Sequence, residues 1–162
     1  MYEWFTASGE HIFWSQICNN ITYVVNHDPD HQVVIGADSQ TSFDSTTYVV
    51  SICLVSNIDP YQRCYYYGKI VEAKTYQLYD RIFREANGAA QAALSIKSYS
   101  SSLEGALNLT IHLDLSSPDK KHKTSKYCNG LTSFVKSLGF SKVEVKPDSW
   151  ASSSIADKHT KK

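Results

Sequence analysis

The chain has 162 residues, with 16 Lys and Arg against 16 Asp and Glu, so its formal net charge is zero. Its length suits one ordinary domain with its own core, and 42% hydrophobic with 20% charged residues exclude a disordered chain. Zero net charge excludes a uniformly basic, histone-like surface but leaves room for a local basic patch beside an acidic site.

The stretch to Pro29 reads as a helical lead, with Phe13, Ile17, Ile21, Val24 and Val25 at helical spacing before His27-Asp28-Pro29-Asp30 breaks it. His31 to Ala37, HQVVIGA, is a continuous apolar run suited to a central strand, ending at the polar trio Asp38, Ser39 and Gln40. Thr46 to Ser56 is a second strand, and the turn-like SQTSFDS between them predicts an antiparallel hairpin. Arg63 to Val71 is a third strand, carrying Tyr65, Tyr66 and Tyr67. From about Thr75 to Lys97 the period becomes helical, through Ile82, Phe83, Ala86, Ala89, Ala90, Ala93 and Leu94.

A Ser-rich connection over Ser100 to Gly105 leads to Leu107–Leu115, whose strict alternation predicts a strand with His112 and Asp114 on one face. Ser116-Ser117-Pro118 reads as a helix start, and that helix runs through Tyr127, Leu131, Phe134, Val135 and Leu138 to Gly139. Lys142 to Lys146 is a short last strand before Pro147, and a final helix is expected from Trp150 to near Thr160. Three meandering strands followed by alternating helix and strand predict an α/β fold with a mixed sheet and helices on both faces.

No run of about 18 apolar residues is present to span a membrane, and the N-terminal segment lacks the pattern of a secretory signal. Cys18, Cys53, Cys64 and Cys128 are scattered without a C-x-x-C pair, which suits a reducing, cytoplasmic setting and makes Cys53 a buried free thiol.

Four carboxylates could carry chemistry, and each has a plainer reading. Asp38 leaves a buried strand, where it is costly without a partner; alternatively it caps a turn. Asp114 lies near the end of another core strand, or is the polar side of a half-exposed one. Glu85 borders the buried stripe of the long helix, or is a solvated flank. Asp157 lies on the last helix, or on its solvated face. His112 shares the Asp114 face and is either a metal ligand or orienting partner of that carboxylate, or a partly buried, hydrogen-bonded histidine. Converging carboxylates repel and need cations, and hard divalent ions such as Mg²⁺ or Mn²⁺ take oxygen ligands and activate water for phosphodiester cleavage.

The element order, with an Asp closing the first strand, resembles the ribonuclease H-like arrangement. The stretches VVIGADSQ, RIFREANGAAQAAL, LTIHLDLSS with the Lys-rich helix after it, and KPDSWASSSIADKHTK resemble the YkuK-type family, a little-characterised bacterial family assigned to that superfamily. The resemblance covers about residues 30–162, after a helical lead over 1–29, with GADSQ and WASSSIADKHT as its specific segments. It implies a mixed five-stranded sheet, three antiparallel strands then two parallel. It also implies a site holding Mg²⁺ or Mn²⁺ on Asp38, Glu85, Asp114 and Asp157, with Glu72 as the rival of Glu85.

Around that site, Lys120, Lys121 and Lys123 are candidates for substrate phosphates, or simply a solvated helix face. Ser39, Gln40 and His159 are further candidate substrate contacts, with turn and tail roles as alternatives. The expected activity is metal-dependent hydrolysis of RNA or DNA. The competing expectation is an inert nucleic-acid-binding or protein-interaction module on the same fold. An ATP-handling role is disfavoured because no Gly-rich phosphate loop is seen.

Overall fold

A computed structural model describes residues 1–99, 103 and 105–161. Of the predicted Ser-rich connection, Ser100, Ser101, Ser102 and Glu104 lie outside the described residues. The elements in chain order are β1 (Glu3–Thr6), α1 (Trp14–His27), β2 (Gln32–Thr41), β3 (Thr46–Val55), β4 (Cys64–Glu72), α2 (Leu78–Tyr99), β5 (Leu109–Ser116), α3 (Cys128–Ser137), β6 (Val143–Lys146) and α4 (Asp157–Thr160). A 3-10 turn over Ser125–Tyr127 precedes α3, and a π-helical turn over Ala151–Ala156 precedes α4.

The strands form one mixed sheet in the order β1-β4-β3-β2-β5-β6. The meander β2–β3–β4 is antiparallel, while β5 and β6 add in parallel beside β2. The sheet therefore has six strands, where five were expected. The extra one, β1, pairs antiparallel with β4 on the far edge. It seats Trp4 against Gly68, where an added Cβ would lie 3.0 Å from three atoms of the indole ring. A four-residue strand whose partner is a distant glycine leaves no periodic signal of its own.

Side-chain alternation divides the sheet into two faces. Val33, Ile35, Val50, Ile52, Leu54, Ile111 and Leu113 join the main core with Ile17, Ile21 and Val24 of α1 and Ala86, Ala89, Ala93 and Ile96 of α2. On the other face Val34 and Cys53 pack with Ala151 beneath the C-terminal segment. That segment comes very close to β2. A Cβ on Gly36 would lie 2.4 Å from Ser152 N and 2.6 Å from Ala151 C, so only a glycine lets the backbones meet there.

Three local expectations change. First, β2 continues through Asp38, Ser39 and Gln40, because each is paired across the hairpin to Val49, Tyr48 and Thr47; a long antiparallel ladder outweighs the turn preference of polar residues. Second, the residues after Pro118 form successive turns, with Lys120 N–H to Ser117 O at 3.1 Å and Ser125 N–H to His122 O at 3.1 Å. The helix starts only at Cys128. Clustered lysines at a helix N-terminus oppose the helix dipole and repel one another, and Thr124 Oγ1 pins the loop by accepting the Ser116 N–H at 3.1 Å. Third, the last helix opens with a π turn. There Ser152 and Ser153 hydroxyls donate back to Ser149 O at 2.9 and 3.1 Å, the back-bonding that distorts regular helix.

Among the described residues no helix is long and apolar enough to cross a membrane. All four cysteines are free.

Candidate active site

The parallel ladder between β2 and β5 runs from Val33↔Leu109 to Gly36↔His112 and no further. Two residues on along each strand, on the face covered by the C-terminal segment, stand Asp38 and Asp114. On its other side β5 also loses register. Its pairing with β6 passes from His112↔Glu144 to Ser116↔Lys146, four residues on β5 against two on β6. Asp114 thus sits in an irregular stretch of β5, the kind of bulge that re-aims a side chain.

Asp157 joins from α4. Thr160 Oγ1 accompanies it, donating to Asp157 O at 2.9 Å and, at 3.4 Å, to Asp38 Oδ2. Asp38 feels the other two aspartates. Burial pushes the Asp38 carboxyl up to about 6, the Asp114 and Asp157 charges push the same way, and the Ser39 N–H and Thr160 hydroxyl offset part of this.

Glu85 approaches from α2, on the opposite face of the sheet. It is 7% exposed and accepts a 2.5 Å hydrogen bond from Ser39 Oγ. With Ile82 and Ala86 it lines a narrow crevice against Ala37 of β2 and Leu113 and Asp114 of β5, where those strands part. Burial dominates the rise of its carboxyl to about 8; the Asp38 and Asp114 charges add to it, while the Ser39 hydroxyl and the Arg81 guanidinium lower it. Glu72, its rival, is occupied elsewhere. Arg84 Nη1 donates to both Glu72 oxygens at 3.0 and 2.9 Å, and Tyr76 OH to Oε2 at 2.5 Å.

The other candidates fall differently. Ser39 is turned inward and bonds Glu85, which differs from the substrate contact expected of it; successive strand residues face opposite ways, so Ser39 cannot share the Asp38 face. Gln40 returns to that face and is exposed. Lys120, Lys121 and Lys123 are exposed on the loop that follows β5. His159 is 7% exposed, with its ring stacked 3.7 Å from Tyr67 and Nε2 3.2 Å from Tyr65 OH, so it anchors α4 to the sheet rather than facing solvent. His112 is likewise a packing group. Its Nδ1 accepts the Ala151 N–H at 3.1 Å, which leaves the proton on Nε2, 3.2 Å from Glu144 Oε2.

Sequence reasoning missed two lysines. Lys146 Nζ lies 2.9 Å from Asp114 Oδ1, and Lys161 Nζ 2.6 Å from Asp157 Oδ2. The first is an ion pair rather than a directed hydrogen bond, since Asp114 Oδ1 is buried without a hydrogen-bond partner. Only the β5–β6 register reveals the first pair; the i,i+4 spacing of Asp157 and Lys161 could have shown the second. Among the described residues, no three His, Cys, Asp or Glu side chains converge closely enough to hold a metal ion as they stand.

The Ribonuclease H-like family matches residues 16–161 of this sequence. The chain belongs to the ribonuclease H-like family. Its β2–β3–β4 meander, the parallel β5 beside β2 and the C-terminal helical segment are therefore the family's mixed α/β architecture. Among solved structures, the chain is similar to the N-terminal RNase H domain of rv2228c from Mycobacterium tuberculosis, determined as a fusion with maltose binding protein. The identity is 13% and the TM-score 0.41, over 80% of this chain and 94% of that one. No curated protein matches the chain.

Proposed function

We propose that this ribonuclease H-like chain is a divalent-metal-dependent nuclease of the YkuK type that hydrolyses phosphodiester bonds of RNA or DNA. Asp38, Asp114, Asp157 and Glu85 would act on the bond. One observation carries the reading: Asp38 and Asp114 stand on the same face just past the last β2–β5 pair, with Asp157 close enough that its charge, like that of Asp114, raises the Asp38 carboxyl.

By its chemistry the donor set suits Mg²⁺ or Mn²⁺, and its side chains would have to close on the ion, since among the described residues no three of them converge as they stand. It consists of hard carboxylate oxygens that repel one another, and Asp114 Oδ1, buried without a directed hydrogen bond, already draws the Lys146 ammonium to 2.9 Å. Asp38, Asp114 and Asp157 would hold the ion, and Glu85 would complete the set or position the attacking water. When bound, such an ion lowers the pKa of its water and offsets charge on the phosphate. The protein's own share is positional. Ser39 holds Glu85, Thr160 bridges α4 to Asp38, and the Gly36 contact sets the C-terminal segment against β2. Lys120, Lys121 and Lys123, exposed after β5, would offset strand charge.

The test is cleavage of labelled RNA, DNA and hybrid duplex in Mg²⁺ or Mn²⁺ by the full chain, Asp38→Asn and Asp114→Asn. Loss of activity in both variants is the expected result; activity surviving both substitutions refutes it. A second reading, a binding module without turnover, is favoured by the lysines already paired to Asp114 and Asp157. It predicts nucleic-acid binding by wild type and both variants alike, with no cleavage by any.

A further inference from the structure

Two of the candidate carboxylates already face cations supplied by the chain. The ammonium groups come from unrelated places. Lys146 ends β6 and pairs in register with Ser116, just past the irregular stretch that carries Asp114. Lys161 lies one turn beyond Asp157. Among the described residues, Asp38 and Glu85 have no such ion pair. Asp114 and Asp157 are thus each held in an ion pair, while Asp38 and Glu85 feel only more distant cations, Lys161 and Arg81.

We propose that Lys146 and Lys161 are internal counter-ions of this site, and that a divalent cation takes up Asp114 and Asp157 by displacing their ammonium groups. The proposal rests on the carboxylate reading above and deepens it by naming what competes with the ion.

Three physical points support it. An oxygen 2.6–2.9 Å from an ammonium cannot also bind a doubly charged ion without bringing two cations within a few ångströms, where they repel strongly even in a polar medium. The side chains of Lys146 and Lys161 are 38% and 57% exposed, so each head can swing into water. Lysine is also the displaceable choice: it is a point charge on a flexible stem, whereas an arginine fork would grip a carboxylate at two points. Pairs this exposed are weak, so removing one should tighten ion binding by roughly two- to fivefold.

The experiment is calorimetric titration of Mg²⁺ and Mn²⁺ into the full chain and into Lys146→Met, Lys161→Met, Lys161→Arg and Asp38→Asn, with metal-free melting of each. Both Met variants should bind two- to fivefold tighter than wild type, and Lys161→Arg no tighter. The metal-free melting points of the Met variants should fall and recover on adding ion. Unchanged or weaker affinity in the Met variants overturns the proposal. If Lys146→Met fails to fold, Lys161→Met alone decides, since its side chain is largely exposed at the end of α4. Binding by wild type that Asp38→Asn abolishes and the Met variants leave unaltered ends this proposal alone. No binding by any chain ends the carboxylate reading with it.

Discussion

Ser39 Oγ donates to Glu85 Oε1 at 2.5 Å, joining residues 46 positions apart across the interface between β2 and α2. Both partners are almost fully enclosed, at 5% and 7% exposure. The bond sits directly behind Asp38, so the sheet position that presents one carboxylate to the C-terminal segment fixes another through its next residue.

Replacing Ser39 with Ala removes the one hydroxyl that favours ionised Glu85. The Glu85 carboxyl should move still higher, and folding stability at neutral pH should drop by about 1–2 kcal/mol. Denaturant unfolding of Ser39→Ala measures the loss. A variant as stable as wild type would mean that the hydroxyl is not holding the carboxylate.

Glu85 also sets a pH dependence. Its folded pKa, about 8, lies above the ordinary value of 4.5. Its contribution is therefore complete below about 4.5 and is lost as pH rises through 8. Asp38 acts in the same sense between 3.8 and about 6. Without divalent ions, Glu85→Gln should gain on wild type as pH rises, by roughly 2–4 kcal/mol between pH 5 and 8. Added Mg²⁺ should narrow that gap by stabilising the ionised carboxylates of wild type. Parallel stability curves for the two proteins would refute the assignment.

Glu72 gives the matching control. Its oxygens are committed to Arg84 and Tyr76, so Glu72→Gln should leave ion affinity and any cleavage at wild-type levels. Its stability cost should be no more than about 1 kcal/mol, because the ion pair is partly exposed. Loss of ion binding in Glu72→Gln, with retention in Glu85→Gln, would reverse the roles given to the two glutamates.

Gly36→Ala tests the seat of the C-terminal segment. The new methyl would press on the backbone of Ala151 and Ser152, neither of which is the movable end of a side chain. Overpacking of this kind costs about 1–3 kcal/mol. Here it should appear locally, as faster hydrogen exchange over residues 151–160 than over β3 and β4. Uniform protection across the chain would show that the contact has slack.

His112→Ala probes the same seat from β5. It leaves the buried Ala151 N–H without its acceptor and opens space beneath Trp150, whose ring meets His112 edge-on at 5.2 Å. A loss of about 2–4 kcal/mol is expected. His112→Asn, which keeps an acceptor near Nδ1, should recover part of it. Equal losses in the two variants would assign the effect to packing alone.

Much of this was legible in the primary structure, because strong local patterns coincided with real elements. The apolar run His31–Ala37, the alternation over Leu107–Leu115 and the helical period through Ala86–Leu94 became β2, β5 and α2. Those patterns record burial, and their order resembles the ribonuclease H-like arrangement that the family match bears out. Where local preference and long-range pairing disagreed, pairing won: Asp38, Ser39 and Gln40 stayed in the strand because β3 lies opposite them. Where a local rule lacked its context it failed, as at Pro118, where clustered positive charge and the Thr124 anchor favour turns.

The amino-acid order by itself determined which segments would be buried and where acidic residues would leave them, since hydrophobic periodicity is a property of near neighbours. Only the tertiary structure decided which face each acid would meet. The end of the β2–β5 ladder at Gly36 and His112, the irregular β5 register around Asp114, and the arrival of Lys146 and Lys161 beside Asp114 and Asp157 depend on strand pairing and segment docking, which join residues far apart in the chain.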